Sequence, residues 1–312
     1  MSKKNLYGGL IVGLILVMLA VGLFMQTRPT RTPGSRFGPD RIALIRIEGI
    51  IAGGRGGASF LGAVAGAEDV IQQISVAKED PQVKAVVLRI NSPGGTPAAS
   101  EEIGREVEKL AKTQKPVVAS LGDTAASGAY WVACQADRIV ANATTTTGSI
   151  GVITQINSYE EMFEKIGIDT TIIKSGEYKD LGTTSRDPSE EEIEILQLLV
   201  DDIFERFVDT VAKGRGMEIE RVMALSDGRI FTGRQALELG LVDDIGNLLE
   251  ALDIAAGEAG IIGPYTIKEY RRTTVWDMFF MQGADLLNIK RGQQEIILPH
   301  LLLLHDTKRL RQ

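Results

Sequence analysis

Residues 122–137 read GDTAASGAYWVACQAD, a run of small residues with one serine, Ser127, near its centre. A serine hydroxyl is a weak nucleophile until a neighbouring base takes its proton. Histidine is the usual base, but the chain has two histidines, His300 and His305, both close to its C-terminal end. Lysine is the remaining side chain that can do this work. With an ordinary pKa of ~10.4 it is almost wholly protonated at neutral pH, so a lysine base must be desolvated, at a cost of roughly 4 kcal/mol. A hydroxyl-rich, uncharged pocket achieves that while still hydrogen-bonding the amine. Lys174 and Lys179 stand in such company, in IIKSGEYKDLGTTSRD (172–187), and on residue types alone either one qualifies.

A third stretch, NSPGGTPAAS (91–100), holds Pro93, which fixes one backbone angle, and Gly94 and Gly95, which reach conformations closed to other residues. A helix starting near Pro97 leaves free N–H groups facing whatever lies before it, and such a turn can hold an anion or a carbonyl oxygen. All three stretches have plainer readings. PGG is also an ordinary strand-to-helix turn, Ala-Ala-Ser-Gly is common in tight helix packing, and most lysines simply lie on the surface.

Patterning supplies the scaffold for these residues. IALIRIEGII, VKAVVLRI (83–90), PVVASL (116–121) and RIVAN (138–142) read as strands. Between them, EDVIQQISVAKED and PAASEEIGREVEKLAKTQ carry apolar residues three and four apart, as amphipathic helices do. Strands alternating with helices imply an α/β fold with a mostly parallel sheet and crossover helices on its faces. The chemical stretches then fall at carboxyl ends of strands, where open α/β sheets place their sites. Asp123 is expected to cap a helix over TAASGAYWVACQA that holds Ser127 in its first turn. A strand is expected at DTTIIKSG (169–176), just before Lys179. A long amphipathic helix is expected from about Ser189 to Lys213, opened by the Ser189/Glu192 pair and ended by Gly214. TTVWDMFFMQGADLL reads as a further amphipathic helix, and the leucine-rich ILPHLLLLHDTKRLRQ shows no readable partner.

The chain has 312 residues, 44% of them hydrophobic, and a net charge of −7, which argues against nucleic acid as a partner. Its one cysteine, Cys134, excludes an internal disulfide and a cysteine-based metal cluster, and two terminal histidines make a zinc site a poor expectation. No metal or other cofactor is expected. Tyr7 to Gln26 is an uncharged apolar run. About 20 residues at ~1.5 Å each span a ~30 Å hydrocarbon core. The run exceeds the ~7–15 residues of a cleaved signal's apolar region, and MLAVGLFMQT offers no good cleavage site, so we read an uncleaved signal anchor. Arg28, Arg31, Arg36 and Arg41 outnumber Lys3 and Lys4, a bias toward a cytoplasmic C-terminus. The short lysine-led start nevertheless resembles an export signal, and we favour a folded part outside the cytoplasmic membrane. TRPTRTPGSRFGPD reads as a tether.

The motifs INSPGG, GDTAASGAYW, TTTTGSIGVI, KSGEYKDLGTTSR and DGRIFTGRQALELGLVDDIG, in that order from about Arg41 to about Gly246, resemble the signal peptide peptidase A family in its short, single-repeat form. That family comprises membrane-anchored serine proteases of the Clp protease/crotonase-like fold. The resemblance implies that Ser127 is the nucleophile and Lys179 the general base, with Lys174 at a non-catalytic position. It implies that Ser149 orients the lysine amine, and that Gly94 and the amide of Gly128 form the oxyanion hole. It also implies a homo-oligomeric ring, with the dyad open to completion by a neighbouring subunit, and substrates that are remnant signal peptides and similar apolar peptides. The organisation expected is then an N-terminal flank (1–6), a transmembrane anchor (7–26), a linker (27–40), a protease domain (41–262) and a C-terminal tail (263–312). Competing expectations are a protease of the same fold that cuts stomatin-like membrane partners, a crotonase-like acyl-CoA enzyme, and a non-catalytic membrane scaffold.

Overall fold

The computed structural model describes residues 40–59, 62–270 and 296–298. The expected anchor at 7–26, the linker up to 39 and the TTVWDMFFMQGADLL segment lie outside the described residues. Among the described residues no helix is long and apolar enough to cross a membrane.

The chain opens with β1 (Arg41–Glu48), whose alternate residues point into two separate cores. A small three-stranded sheet follows, made of β2 (Ile50–Ala52), β3 (Gly57–Ser59) and β4 (Gly62–Gly66). Then come α1 (Ala67–Glu79), β5 (Val83–Ser92), α2 (Pro97–Ala111), β6 (Val117–Ala126), α3 (Gly128–Ala133), β7 (Arg138–Ala141) and β8 (Thr146–Gly148). The later part holds α4 (Glu160–Lys165), α5 (Glu190–Arg215), α6 (Ile219–Met223), β9 (Ile230–Thr232), α7 (Gly233–Leu239), β10 (Asp244–Ile245), α8 (Leu248–Glu258), β11 (Tyr265–Glu269) and β12 (Ile296–Leu298).

The main sheet runs β10-β7-β6-β5-β1-β11-β12, and every neighbouring pair is parallel except β11 with β12. The fold is therefore mixed α/β around a mostly parallel sheet. β5 reads VKAVVLRINS with almost no alternation because helices cover both of its faces. On one face Ile45, Ile47, Leu88, Ile90 and Leu121 pack with α1, α2 and α3. On the other, Ile42, Leu44, Val87, Val118 and Val140 lie beneath Ala251, Leu252, Ala255 and Ala256 of α8. Burial of each such aliphatic side chain contributes about 1.5–3 kcal/mol.

Four expectations change. β6 continues to Ala126, so Ser127 is not inside a helix. Its first half pairs with β7, and its last residues, Thr124 to Ala126, leave β7 and pair in parallel with β8. This ladder supersedes the helical tendency of the alanines. The expected strand at 169–176 does not form; Ile172 and Ile173 are exposed there, with no neighbouring ladder to take up their backbone groups. The long helix starts on the expected capping box, Ser189 with Glu192, but passes Gly214 and ends at Gly216, which adopts φ +60°. Gly214 stays helical because its missing Cβ lets α5 lie directly on the Cys134 carbonyl. Finally, the sheet extends past residue 262, since β11 pairs with β1 along Arg41 to Leu44.

Candidate active site

Ser127 occupies the one-residue junction between β6 and α3, with φ +53° and ψ −127°. Among the described residues, Ser127 and Ser149 are the two non-glycine residues with positive φ. Such backbone costs of order 1–3 kcal/mol at each residue and persists only where surrounding structure enforces it. The enforcement is visible here. The Ser127 N–H donates to the Gly148 carbonyl at 2.8 Å, and its own carbonyl accepts from Tyr130 and Trp131 N–H at 2.8 and 3.0 Å. Below it, Tyr130 is fully buried and its hydroxyl donates to the Leu241 carbonyl at 2.8 Å. Trp131 stacks on Phe207 of α5 with ring centres 4.7 Å apart. These contacts lock α3 and hold the serine out on a sharp turn.

Ser149 reaches the same place by the same route. β6 and β8 pair Ala126 with Gly148, so the next residues, Ser127 and Ser149, leave adjacent parallel strands side by side. Neighbouring strands lie about 4.8 Å apart. Gly148 has φ +79°, and the Ser149 N–H donates to the Arg229 carbonyl at 2.8 Å, which turns the chain after β8. Thr147 Oγ1 donates to the Ala125 carbonyl at 2.7 Å and ties the two strand ends together.

The glycine turn after β5 abuts the serine directly. Gly94 has φ +109°, and a Cβ on it would sit 2.9 Å from Ser127 Cβ and 3.0 Å from the Gly128 nitrogen. The turn is anchored to β2: the Ile51 N–H donates to the Gly94 carbonyl and the Thr96 N–H to the Ile51 carbonyl, both at 2.9 Å. The Gly94 N–H donates to Ser92 Oγ at 3.1 Å, so that donor is already engaged. The Gly95 and Gly128 N–H groups have no acceptor among the described residues. The free donor of the turn is thus Gly95, one residue beyond the expected Gly94. Reading the sequence singled out the Gly94–Gly95 turn but missed Ser92; the signal available was a hydroxyl two residues before the first of two glycines.

The lysines separate clearly. Lys174 Nζ donates to Asp180 Oδ1 and to the Glu177 carbonyl, each at 2.6 Å. Lys179 is exposed, and its amine has no hydrogen-bond or ion-pair partner among the described residues. The structure therefore brings Ser127, Ser149, Gly94 and Gly128 together, and the exposed Lys179 amine hydrogen-bonds none of them within one chain. Cys134 is no rival nucleophile: burial pushes its thiol up to about 12, far from the thiolate range. Among the described residues no group of His, Cys, Asp and Glu is placed to hold a metal ion.

The profile of Peptidase family S49 matches residues 109–261, a span that takes in Ser127, Ser149 and Lys179. A Synechocystis protein named as a protease is 43% identical over 221 residues, covering 71% of this chain and 75% of that protein. An Enterococcus faecium protein named as a signal peptide peptidase, SppA, is 42% identical over 207 residues, covering 66% of this chain and 60% of the relative. The chloroplastic serine protease SPPA of Arabidopsis thaliana is 39% identical over 265 residues, covering 83% of this chain and 39% of that longer protein.

Proposed function

The chain belongs to peptidase family S49, and from that premise we propose that it is a membrane-anchored serine endopeptidase whose Ser127 is activated by neutral Lys179. The observation that carries the reading is the strained pair Ser127 and Ser149, which leave adjacent parallel strands beside two unoccupied backbone N–H groups. In this reading Ser127 Oγ attacks the scissile carbonyl carbon while its proton passes to Lys179 Nζ. The N–H groups of Gly128 and of the Gly94–Gly95 turn receive the oxyanion, a contribution of about 2.7–4 kcal/mol for each donor lost. The lysine ammonium then protonates the leaving amine as the C–N bond breaks, and water hydrolyses the acyl-enzyme with the amine again acting as base. Ser149 hydrogen-bonds the lysine amine and aims it.

The parallel sheet with its crossover helices supports the Clp protease/crotonase-like fold as the finer class. Family membership favours peptide hydrolysis over acyl-CoA chemistry. The dyad is completed between subunits of a homo-oligomeric ring. Support comes from the exposure of Lys179 and from large apolar side chains left open to solvent, Ile153, Ile173, Leu198 and Leu199 among them. Exposed apolar side chains favour a cover, and a second copy of the chain supplies one. The name of the Enterococcus relative and the apolar run at 7–26 favour remnant signal peptides and similar apolar peptides as substrates. The anchor lies in the cytoplasmic membrane with the catalytic domain on its outer side.

The test uses full-length protein in detergent micelles and a fluorogenic apolar peptide. Ser127→Ala and Lys179→Ala each lose turnover to near background, whereas Lys109→Ala, a surface change on α2, does not. Co-expression of the two inactive variants restores activity, because a hybrid ring contains intact serine–lysine pairs. Full activity in Lys179→Ala refutes the dyad, and failure of the co-expressed variants to complement refutes the shared site.

A further inference from the structure

Lys179 is followed in sequence by an acidic residue, Asp180, whose carboxylate would oppose an uncharged amine. An unoccupied carboxylate beside a lysine favours the ammonium and typically raises its pKa by 1–3 units. Here the carboxylate is fully occupied elsewhere. Oδ1 accepts from Lys174 Nζ at 2.6 Å, and Oδ2 accepts from Arg186 Nε at 3.1 Å. Arg186 in turn binds Glu192 at 2.8 and 2.5 Å through its two terminal nitrogens. Glu192 also takes the Ser189 N–H at 2.9 Å, closing the first turn of α5. The result is a ladder of alternating charge, Lys174, Asp180, Arg186 and Glu192, that ends on a helix cap. The Asp180 and Glu192 side chains are only 8% and 4% exposed, so the two carboxylates are shielded while Lys174 and Arg186 reach solvent.

Other charged groups close to the turn in sequence are bound elsewhere or exposed. Glu160 of α4 accepts the Asp187 N–H at 2.9 Å, and Glu191 accepts from Ser189 Oγ at 2.9 Å. Glu190 stands at the solvent-exposed start of α5, and Glu177 and Tyr178 are exposed on the loop itself. Hydrogen bonds from Arg186 and Lys174 hold the Asp180 carboxyl well below the usual carboxylate range.

We propose that Lys174 is a positioning residue for the reaction: with Arg186 on the far side, it occupies the Asp180 carboxylate, denies it to the adjacent Lys179, and so lets Lys179 give up its proton. This rests on Lys179 being the general base. It explains why a stretch that needs one neutral lysine carries two: the first neutralises the acid that would otherwise protonate the second. Arg186 performs the same service and also fixes the turn to α5.

The test is the pH profile of kcat/KM for the full-length protein on the fluorogenic apolar peptide, because its acid limb reports the base of the free enzyme. Lys174→Met frees Asp180 Oδ1 and is expected to move the acid limb up by about one pH unit, a roughly tenfold loss on the limb with the alkaline plateau kept. Lys174→Arg retains the pairing and the wild-type profile. Lys174→Met combined with Asp180→Asn removes the freed carboxylate and brings the limb back. The proposal is overturned if Lys174→Met lowers activity by the same factor at every pH, leaves the limb in place, or keeps the shifted limb in the double variant. Failure of the dyad itself shows separately, as full activity in Lys179→Ala.

Discussion

Gly94→Ala loads the site at its most crowded point. The new Cβ would meet Ser127 Cβ and the Ala126 carbonyl oxygen at 2.9 Å and the Gly128 nitrogen at 3.0 Å. Comfortable carbon contacts lie at about 3.5–4.0 Å, so one or more of these atoms must move by at least half an ångström. The backbone adds to this, because φ +109° lies where L-residues are strained. Strain of about 1–3 kcal/mol and overpacking of a similar size together predict about 2–6 kcal/mol of destabilisation. For a domain of this size each kcal/mol lowers Tm by roughly 2–4 °C, so the expected fall is at least ~4 °C. Displacing the serine and the Gly128 N–H should cost a further ~10²–10³-fold in kcat/KM, about what a lost oxyanion donor costs. The assay is peptide turnover well below the variant's Tm, normalised to the folded fraction by calorimetry. Gly53→Ala serves as control, since a Cβ there meets nothing within 4 Å. If Gly94→Ala loses stability but stays within threefold of wild-type turnover, the glycine shapes the fold and not the site, and the argument fails.

Two further outcomes are expected. Glu192 is held down to about 2, first by the Arg186 hydrogen bonds and then by the Ser189 N–H. Its folded pKa lies below the unfolded value of ~4.3, so its stabilising effect is complete above pH ~4.3 and lost as pH falls through about 2. The stability gap between wild type and Glu192→Gln should therefore persist at neutral pH and close over that acid window in denaturant titrations; a gap independent of pH would contradict the ladder. Cys134 is buried with its thiol raised to about 12, so iodoacetamide at pH 8 should leave the folded protein unlabelled and fully active. Rapid labelling of the native protein would contradict the packing of α3 on α5.

Much of the scaffold was legible because its signals are local. β5 is a continuous apolar run of strand length, and the α5 start is marked by a serine and a glutamate three residues apart. The end of β6 was not legible. Thr-Ala-Ala-Ser-Gly suits a helix, and only pairing of Thr124 to Ala126 with β8, some twenty residues on, makes it a strand. β11 was equally hidden, since its partner β1 lies more than two hundred residues earlier. Ser127 and the lysine pair stood out by type and Ser149 through the family resemblance, but the choice of Gly95 over Gly94 as the free donor depends on the Ser92 hydroxyl. Arg186 carried no chemical signal in the sequence, and its importance comes from contacts with residues six positions away on either side.

The amino-acid order alone determined the central strand β5, the cap that opens α5, and which hydroxyls and amines were available for covalent chemistry. Tertiary structure decided how those groups meet: two serines forced to positive φ on adjacent strand ends, a glycine turn pressed against one of them, and one lysine bound to a carboxylate while its neighbour is left free. Periodicity and capping act over a few residues and are written where they act. Strand pairing and ion ladders join residues distant along the chain, so their outcome exists only once the backbone has closed around them.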